Sequence, residues 1–142
     1  MSAKHQLRTY LLLRAPLAAL VGGRIYPGAS PQWEAFPIVE IESQGREQPH
    51  YMTAATGSVE ASFEINIYDR DEGRGSIIAD AVRSAMNGAP GDMGELEVSH
   101  AVLEGEDGEE IPPSDGSDDP IYNIGQTWSI WYTESVPTFP AN

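Results

Sequence analysis

The residues of this sequence best suited to chemistry are carboxylates, because eight of them fall within residues 104–119. They are Glu104, Glu106, Asp107, Glu109, Glu110, Asp115, Asp118 and Asp119. Carboxylate oxygens are good calcium ligands, but the spacing lacks the Asp-x-Asp-x-Asp-Gly pattern with a closing Glu that calcium-binding loops use. The segment also contains three glycines and Pro112-Pro113, and it is too polar to form a core. The sequence therefore predicts a long acidic loop, which is a solvated segment, a functional electrostatic surface or a metal site.

Other residue types that carry catalysis are absent or wrongly spaced. The chain has no cysteine, and His5, His50 and His100 lack the spacing of a zinc site. Residues 73–76, Gly-Arg-Gly-Ser, lack the lysine and the spacing of a phosphate-binding loop. Paired carboxylates for glycoside hydrolysis would need a partly apolar cleft, which the pattern does not indicate. We therefore predict no catalytic residue, no cofactor and no metal, and a protein that is not an enzyme.

Charge is distributed unevenly along the chain. Its 142 residues include 22 Asp and Glu against 8 Lys and Arg, a formal net charge of −14. Residues 1–83 contain all eight cations and ten of the acids, whereas residues 84–142 contain twelve acids and no Lys or Arg. Tight binding to nucleic acid or to an anionic membrane depends on Lys and Arg, so the composition disfavours both. No apolar run near the N-terminus approaches the roughly 20 residues of a membrane helix, which predicts a soluble protein.

Hydrophobic periodicity predicts the elements that position these residues. Helical spacing covers the first twenty residues, with a kink or a new first turn at Pro16, and it returns over residues 71–87. Strand alternation is found in residues 38–42, 58–67, 95–102 and 122–134. Strands placed between and after two helices predict an α+β fold, with a mainly antiparallel β-sheet and two α-helices packed on one face. The length fits a single domain over residues 1–142.

Two aromatic or titratable side chains stand out within the predicted strands. His100 falls on the face of the third strand that is predicted to be core, together with Val98. Trp131 lies on the polar side of the last strand, whereas Trp128 and Tyr132 share the other side. An aromatic residue on a polar sheet face more often marks a contact with another element or chain than an accident. Trp131 is therefore a candidate interface residue.

Several segments, taken in order, resemble a known family. The most specific is Val21-Gly22-Gly23-Arg24-Ile25-Tyr26-Pro27, followed by Phe36-Pro37-Ile38-Val39, the strand over residues 59–67 ending in Tyr68-Asp69, the run Ala79-Asp80-Ala81-Val82-Arg83, and Trp128-Ser129-Ile130-Trp131-Tyr132. The chain is similar over most of its length to the tail-completion or tail-terminator proteins of long-tailed bacteriophages and related prophage elements. Residues 105–119 depart from the family pattern, because this segment is longer and more acidic than is usual in the family.

The resemblance implies a structural virion protein that forms a ring, commonly a hexamer, at the head-proximal end of the tail. Such a ring caps the tail tube, stops its elongation and joins the tail to the head connector, and DNA passes through it without sequence-specific binding. The implied partners are other copies of the chain, the tail tube protein on one face and a head connector or stopper protein on the other, with no membrane. Assembly would take place in the host cytoplasm.

Physical reasoning supports the ring hypothesis in two respects. A small subunit with a half-polar strand face and an exposed Trp131 has surfaces suited to head-to-tail packing, which closes into a ring when the rotation allows. An acidic wall around a DNA path prevents the duplex from sticking to it. We therefore expect the acidic residues 104–119 to lie near the channel or on a ring face. The expected subunit interface includes Arg24, Arg46, Arg70, Arg74 and Trp131.

Two alternatives of different classes remain open from the residues. The first is a small acidic binding or inhibitor module that mimics nucleic acid through residues 104–119. It predicts a soluble monomer that binds a basic partner with steep salt dependence. The second is a carboxylate-metal hydrolase, which predicts tight binding of a divalent cation.

Overall fold

Three helices and five strands make up the described part of the chain. The computed structural model describes residues 3–28, 35–47, 58–87, 91–93, 96–112 and 120–133. In chain order the elements are α1 (Ala3–Leu12), α2 (Ala15–Val21), β1 (Ile25–Pro27), β2 (Ile38–Glu47), β3 (Ser58–Asp69), α3 (Glu72–Met86), β4 (Glu97–Ile111) and β5 (Ile121–Thr133). The strands form one sheet in the order β1-β2-β3-β5-β4, antiparallel except for the parallel pair β1 and β2. The predicted α+β class with a mainly antiparallel sheet is confirmed.

The N-terminal helical segment is two helices, so the described residues contain three helices where two were predicted. Pro16 stands in the first turn of α2, where its missing N–H removes no helical hydrogen bond. The same proline cannot continue α1, whose last carbonyls instead accept from Leu13 and Arg14 in tight turns. Gly22 ends α2 in the left-handed conformation, with φ of 60° and its N–H bonded to Ala18 O. Pro16 therefore lies in the first turn of a new helix and does not kink a continuous one.

The core lies between one face of the sheet and the three helices. β3 shows why its sequence folds as a strand, since Val59, Ala61, Phe63, Ile65 and Ile67 are all buried on this face. The core is completed by a row on β5 (Trp128, Ile130 and Tyr132), Val39 and Ile41 of β2, and apolar residues of the helices such as Leu7, Leu11, Leu17, Ile78 and Val82. α3 begins at the N-cap Asp71, whose side chain accepts from Arg74 N at 3.1 Å. The opposite face of the sheet therefore carries the alternate, mostly polar residues.

The prediction of an acidic loop is wrong for residues 104–111, because β4 continues through them to Ile111. The strand pairs with β5 over this length, up to the pair Ile111 and Ile121. When both sides of an edge strand face water, the strand does not need alternating apolar residues. A run of carboxylates and glycines can therefore form such a strand. Asp115, Asp118 and Asp119 lie outside the described residues. In the same way β2 extends to Glu47, beyond the alternation that predicted a strand over residues 38–42.

A β-bulge overturns the predicted side for His100. The register of β4 shifts between Val98 and His100, so that Ser99 is an extra residue opposite β5. Val98 remains buried, but the shift places Ala101 in the core and leaves His100 exposed. A second shift follows between Leu103 and Gly105. A one-residue insertion exchanges the two sides of a strand, which strict alternation in sequence does not reveal.

Candidate functional site

The sheet side opposite the helices, here called the polar face, carries carboxylates on three of its five strands, β2, β3 and β4. The register sets them in rows across the sheet: Glu40, Asn66, Gly125 and Asp107 in one row, Glu42, Glu64, Thr127 and Gly105 in the next, and Tyr68, Asn123 and Glu109 in a third. Glu60 lies opposite Trp131 in a further row. No described helix covers this face, and none of its described side chains in these rows is Lys or Arg. The charged side chains in these rows are therefore all negative.

Tyr68 lies among these carboxylates on the polar face. Burial raises the pKa of the Tyr68 phenol from its ordinary 10 to about 12, and the charges of Glu40, Glu42, Glu64 and Glu109 add to the shift. These four residues come from strands β2, β3 and β4, so the carboxylates act on one point from several strands. The phenolate form would add another negative charge to the same surface. The polar face therefore favours cations over anions, and carboxylates from several strands contribute to this preference.

A shallow groove of about 440 Å³ runs along this face where β3, β5 and β4 meet. Gly125 forms its floor, because a Cβ there would lie 3.1 Å from Asn66 Oδ1 and 3.3 Å from Asp107 Oδ1. Asn66 is held in place by its bond from Nδ2 to Glu64 Oε1, 2.7 Å long. The Asn123 side-chain oxygen is buried without a hydrogen-bond partner among the described residues. The groove is therefore lined by polar side chains and glycines, and its carboxylates supply most of the hydrogen-bond acceptors.

The described residues contain no group of three or more His, Asp or Glu side chains arranged to hold a metal ion. The carboxylates of the polar face project from three strands of the sheet. The groove has no nucleophile paired with a base within its lining. What this arrangement can do chemically is repel anions and attract cationic partners.

At one end of the polar face, His100 stacks on Trp131. The ring centroids are 4.4 Å apart and the planes differ by 14°. Ser99, the bulge residue, fixes this arrangement by donating from Oγ to Trp131 O at 3.0 Å and by contacting His100 Nδ1 at 3.2 Å. Val102 follows on the same strand and is 39% exposed. The predicted polar-side position of Trp131 is therefore what the structure has, with His100 as a neighbour that the sequence did not indicate.

The acids of β4 that point to the helix side have a different environment. Glu106 accepts from Gln126 Nε2 at 2.8 Å and pairs with Arg83 of α3. Gln126 is fully buried, donates also to Ala79 O at 3.1 Å and accepts from Trp128 Nε1 at 3.0 Å. This network fixes β4 and β5 to α3. Glu106 is therefore a structural residue, a role that its place in a run of acids concealed.

The candidate interface arginines with described side chains all make contacts within the chain. Arg74 forms a bidentate pair with the buried Asp69, with distances of 2.6 and 2.7 Å. Arg24 donates from Nε to Pro37 O at 2.8 Å, and Arg70 lies over the Phe36 ring at 5.2 Å. Arg46 is on β2 in register with Ala61, and its side chain lies outside the described residues. Their presence at a subunit interface stays a prediction.

The sequence signals for the missed residues were weak. Tyr68 and Asn66 lie on the polar side of the predicted β3, where nothing but strand alternation marks them. Gln126 is an amide on the core side of a strand, between Ile124 and Trp128, and that departure from the apolar pattern was its signal. Buried amides of this kind need hydrogen-bond partners, which only the packed structure identifies.

Comparison with known proteins gives one family and one shared fold. The model of the family described as "Tail completion protein gp17" matches residues 5–108. A chain in the solved structure "Virion of native gene transfer agent (GTA) particle" superposes with a TM-score of 0.68 at 16% identity, covering 94% of this chain and 96% of that chain. A second solved chain aligns with a TM-score of 0.46 at 12% identity, covering 99% of this chain and 100% of that chain. No curated protein matches the sequence significantly. No helix in the described ranges is long and apolar enough to span a membrane.

Proposed function

The chain belongs to the tail completion protein gp17 family, and we propose that it is the ring-forming terminator of a phage or phage-like tail. The family is one of structural proteins of phage tails and not a class of enzymes. The observation that carries the proposal is the match over residues 5–108, which takes in every element from α1 to most of β4. The shared fold with a chain of a gene transfer agent virion agrees with it.

In this proposal the subunits form a ring, hexameric as the family resemblance implies, that caps the tail tube at its head-proximal end. The ring stops elongation of the tube and then joins it to the head connector. Subunits that associate head to tail close into a ring when the rotation between neighbours allows. The fold supports this in having two sheet edges, β1 and β4, to which no further strand of the described residues is added.

We further propose that the polar face of the sheet is turned toward the DNA channel. Its rows of carboxylates, Glu42, Glu60, Glu64, Asp107 and Glu109 among them, repel phosphates and let the duplex pass without binding. Asp107 and Glu109 belong to the acidic segment that the sequence singled out. For Asp115, Asp118 and Asp119, a place near the channel or on a ring face remains the prediction.

Electron microscopy of particles made with and without this protein tests the proposal. Particles that lack the protein are expected to contain tail tubes of irregular, excessive length that do not attach to heads. Adding the purified protein to growing tubes should give tubes of defined length with a ring at one end. The proposal is overturned if the protein in assembled particles is a monomer or a dimer, or if tube length does not depend on it.

A further inference from the structure

One edge of the subunit is basic. Residues 1–33 contain Lys4, Arg8, Arg14 and Arg24 and no Asp or Glu. Lys4 and Arg8 are four residues apart on α1, so they share one side of that helix. The ion pairs of Arg74 with Asp69 and of Arg83 with Asp80 and Glu106 involve none of these four cations. The Lys, Arg, Asp and Glu side chains of residues 1–33 are therefore all positive.

Arg8 marks the position of this basic edge in the sheet. Arg24 O accepts from Val39 N of β2 at 3.0 Å, so the next carbonyl of the strand, Ile25 O, points away from β2. Arg8 Nε donates to Ile25 O at 2.6 Å. The guanidinium therefore lies on the free side of β1, at the end of the sheet. Lys4 and Arg8 together are here called the basic edge.

The opposite end of the sheet is acidic. β4 contains Glu97, Glu104, Glu106, Asp107, Glu109 and Glu110 and no Lys or Arg. All six are exposed, and only Glu106 has an ion-pair partner among the described residues, in Arg83. Glu106 and Glu110 point to the helix side of the sheet, the layer that contains α1 at the other end. The β4 acids form what is here called the acidic edge, about 19 Å across the five strands from β1.

From this arrangement we infer that the basic edge of one subunit binds the acidic edge of a second copy, which makes these two edges the lateral contact of the ring. The inference rests on the proposed function and adds to it the two surfaces that meet. Opposite charges on opposite ends of one subunit favour head-to-tail association, and each bound copy presents a free edge of each kind to the next. Side-by-side sheets would bring α1 of one copy to the helix-side acids of its neighbour. A symmetric pairing of like edges would instead place like charges together.

Charge reversal of each edge tests the inference in the full-length protein. The acidic-edge variant combines Glu104→Lys with Glu110→Lys, and the basic-edge variant combines Lys4→Glu with Arg8→Gln, which keeps a side-chain donor for Ile25 O. The acidic-edge variant reduces the formal charge of the β4 acids from −6 to −2, and the basic-edge variant changes that of positions 4 and 8 from +2 to −1, so the self-association of each should weaken by about tenfold or more. Mixed one to one, the two variants should form a heterodimer through the unmodified basic edge of one and the unmodified acidic edge of the other.

The control is Glu42→Lys with Glu60→Lys, which changes the net charge as the acidic-edge variant does but on the polar face of β2 and β3. It should associate as the unmodified protein does. Circular dichroism and thermal unfolding establish that each variant is folded, and native mass spectrometry with carbodiimide crosslinking of Lys4 to β4 carboxylates measures the association. The inference is overturned if the single-edge variants associate like the unmodified protein, or if the mixture does not associate. Association through these edges without control of tube length would contradict the proposed function but support the inference.

Discussion

Asp69 is a fully buried carboxylate that pairs with one arginine. Arg74 binds it with two hydrogen bonds, and Asp71 N donates a third at 3.2 Å. The hydrogen bond to Asp69 raises the pKa of Arg74 above its usual range, so Arg74 stays positively charged. Because Asp69 ends β3 and α3 begins two residues later, the pair fixes the turn between them.

Arg74→Met is expected to destabilise the protein by about 3 kcal/mol, because it leaves a buried carboxylate without its cation. The value is at the lower end for a broken buried pair, since the Arg74 side chain is itself 42% exposed. Arg83→Met is the control, since it removes a pair with the more exposed Glu106 and should cost less than about 1 kcal/mol. Urea unfolding of both variants measures the difference. Equal losses would show that Asp69 is not stabilised by Arg74 in particular.

Tyr68 predicts a loss of stability in alkali. The folded protein holds its phenol protonated to about pH 12, whereas the unfolded chain releases the proton near pH 10. This contribution to stability is therefore fully present below pH 10 and is lost as the pH rises through 12. Tyr68→Phe should unfold with less dependence on pH over this interval.

The polar-face carboxylates can be tested through the same tyrosine. Glu42→Gln should lower the pKa of Tyr68 toward 10, because it removes one of the negative charges that raise it. Glu97→Gln, at the far end of β4 opposite Thr133, should leave it unchanged. Absorbance titration of the phenolate, with Tyr68→Phe subtracted to isolate one residue, measures both. An unshifted titration in Glu42→Gln would contradict the proposed crowding of charge on this face.

At the level of the strands, two glycines on adjacent strands have opposite constraints. A Cβ at Gly125 of β5 would crowd Asn66 and Asp107 from the strands on either side, whereas Gly105 of β4 has no atom within 4 Å of the same position. Gly125→Ala is therefore expected to destabilise the protein by about 1–3 kcal/mol through overpacking. Gly105→Ala should change stability by less than about 0.5 kcal/mol. Thermal unfolding compares them, and equal effects would mean that the close approach over Gly125 is not a constraint.

Strand patterning explains which elements the sequence could predict. β3 is buried on one side and polar on the other along its whole length, so its alternation identified it and its side chains correctly. β4 could be predicted only to residue 102, because beyond the bulge at Ser99 its sides exchange and its partner is a single strand. Backbone hydrogen bonds to β5 keep the acidic half of β4 in a strand without apolar side chains. Hydrophobic periodicity cannot predict a strand that is stabilised in this way.

The candidate site was predictable in composition but not in arrangement. Clustered acids and the polar-side Trp131 were evident along the chain, yet Glu42 and Glu64 join Asp107 and Glu109 only through the strand order β2-β3-β5-β4. Register across non-consecutive strands decides which charges are neighbours. The same sheet separates Glu106 from its neighbours in sequence, because it points to α3 while Asp107 points to the polar face.

In the whole molecule, the net charge of −14 is distributed unevenly, with cations near the β1 end of the sheet and acids at the β4 end. A subunit with a basic β1 end and an acidic β4 end can associate with copies of itself even though its net charge repels them, because edge contacts act at short range. The Debye length falls from about 10 Å at 0.1 M salt to about 3 Å at 1 M. Salt therefore weakens both the attraction between edges and the repulsion between polar faces. A ring of six would carry a formal charge of −84, six times the value of one chain.

That charge predicts how the proposed ring interacts with DNA. If the polar faces line the channel, Glu42→Lys with Glu60→Lys changes four units of charge in every subunit at the DNA path and should slow DNA release from particles, because each lysine replaces counterions on phosphates. The unmodified ring should not retain duplex DNA even at low salt, whereas the variant ring should retain it and lose it again as salt is raised. Glu72→Lys with Asp92→Lys makes the same change of charge away from the polar face and should release DNA at the normal rate. Light scattering or dye fluorescence during triggered release measures the rates. Equal rates in all three would place the polar face outside the channel, while slow release in both variants would mean that total charge, and not this face, governs DNA passage.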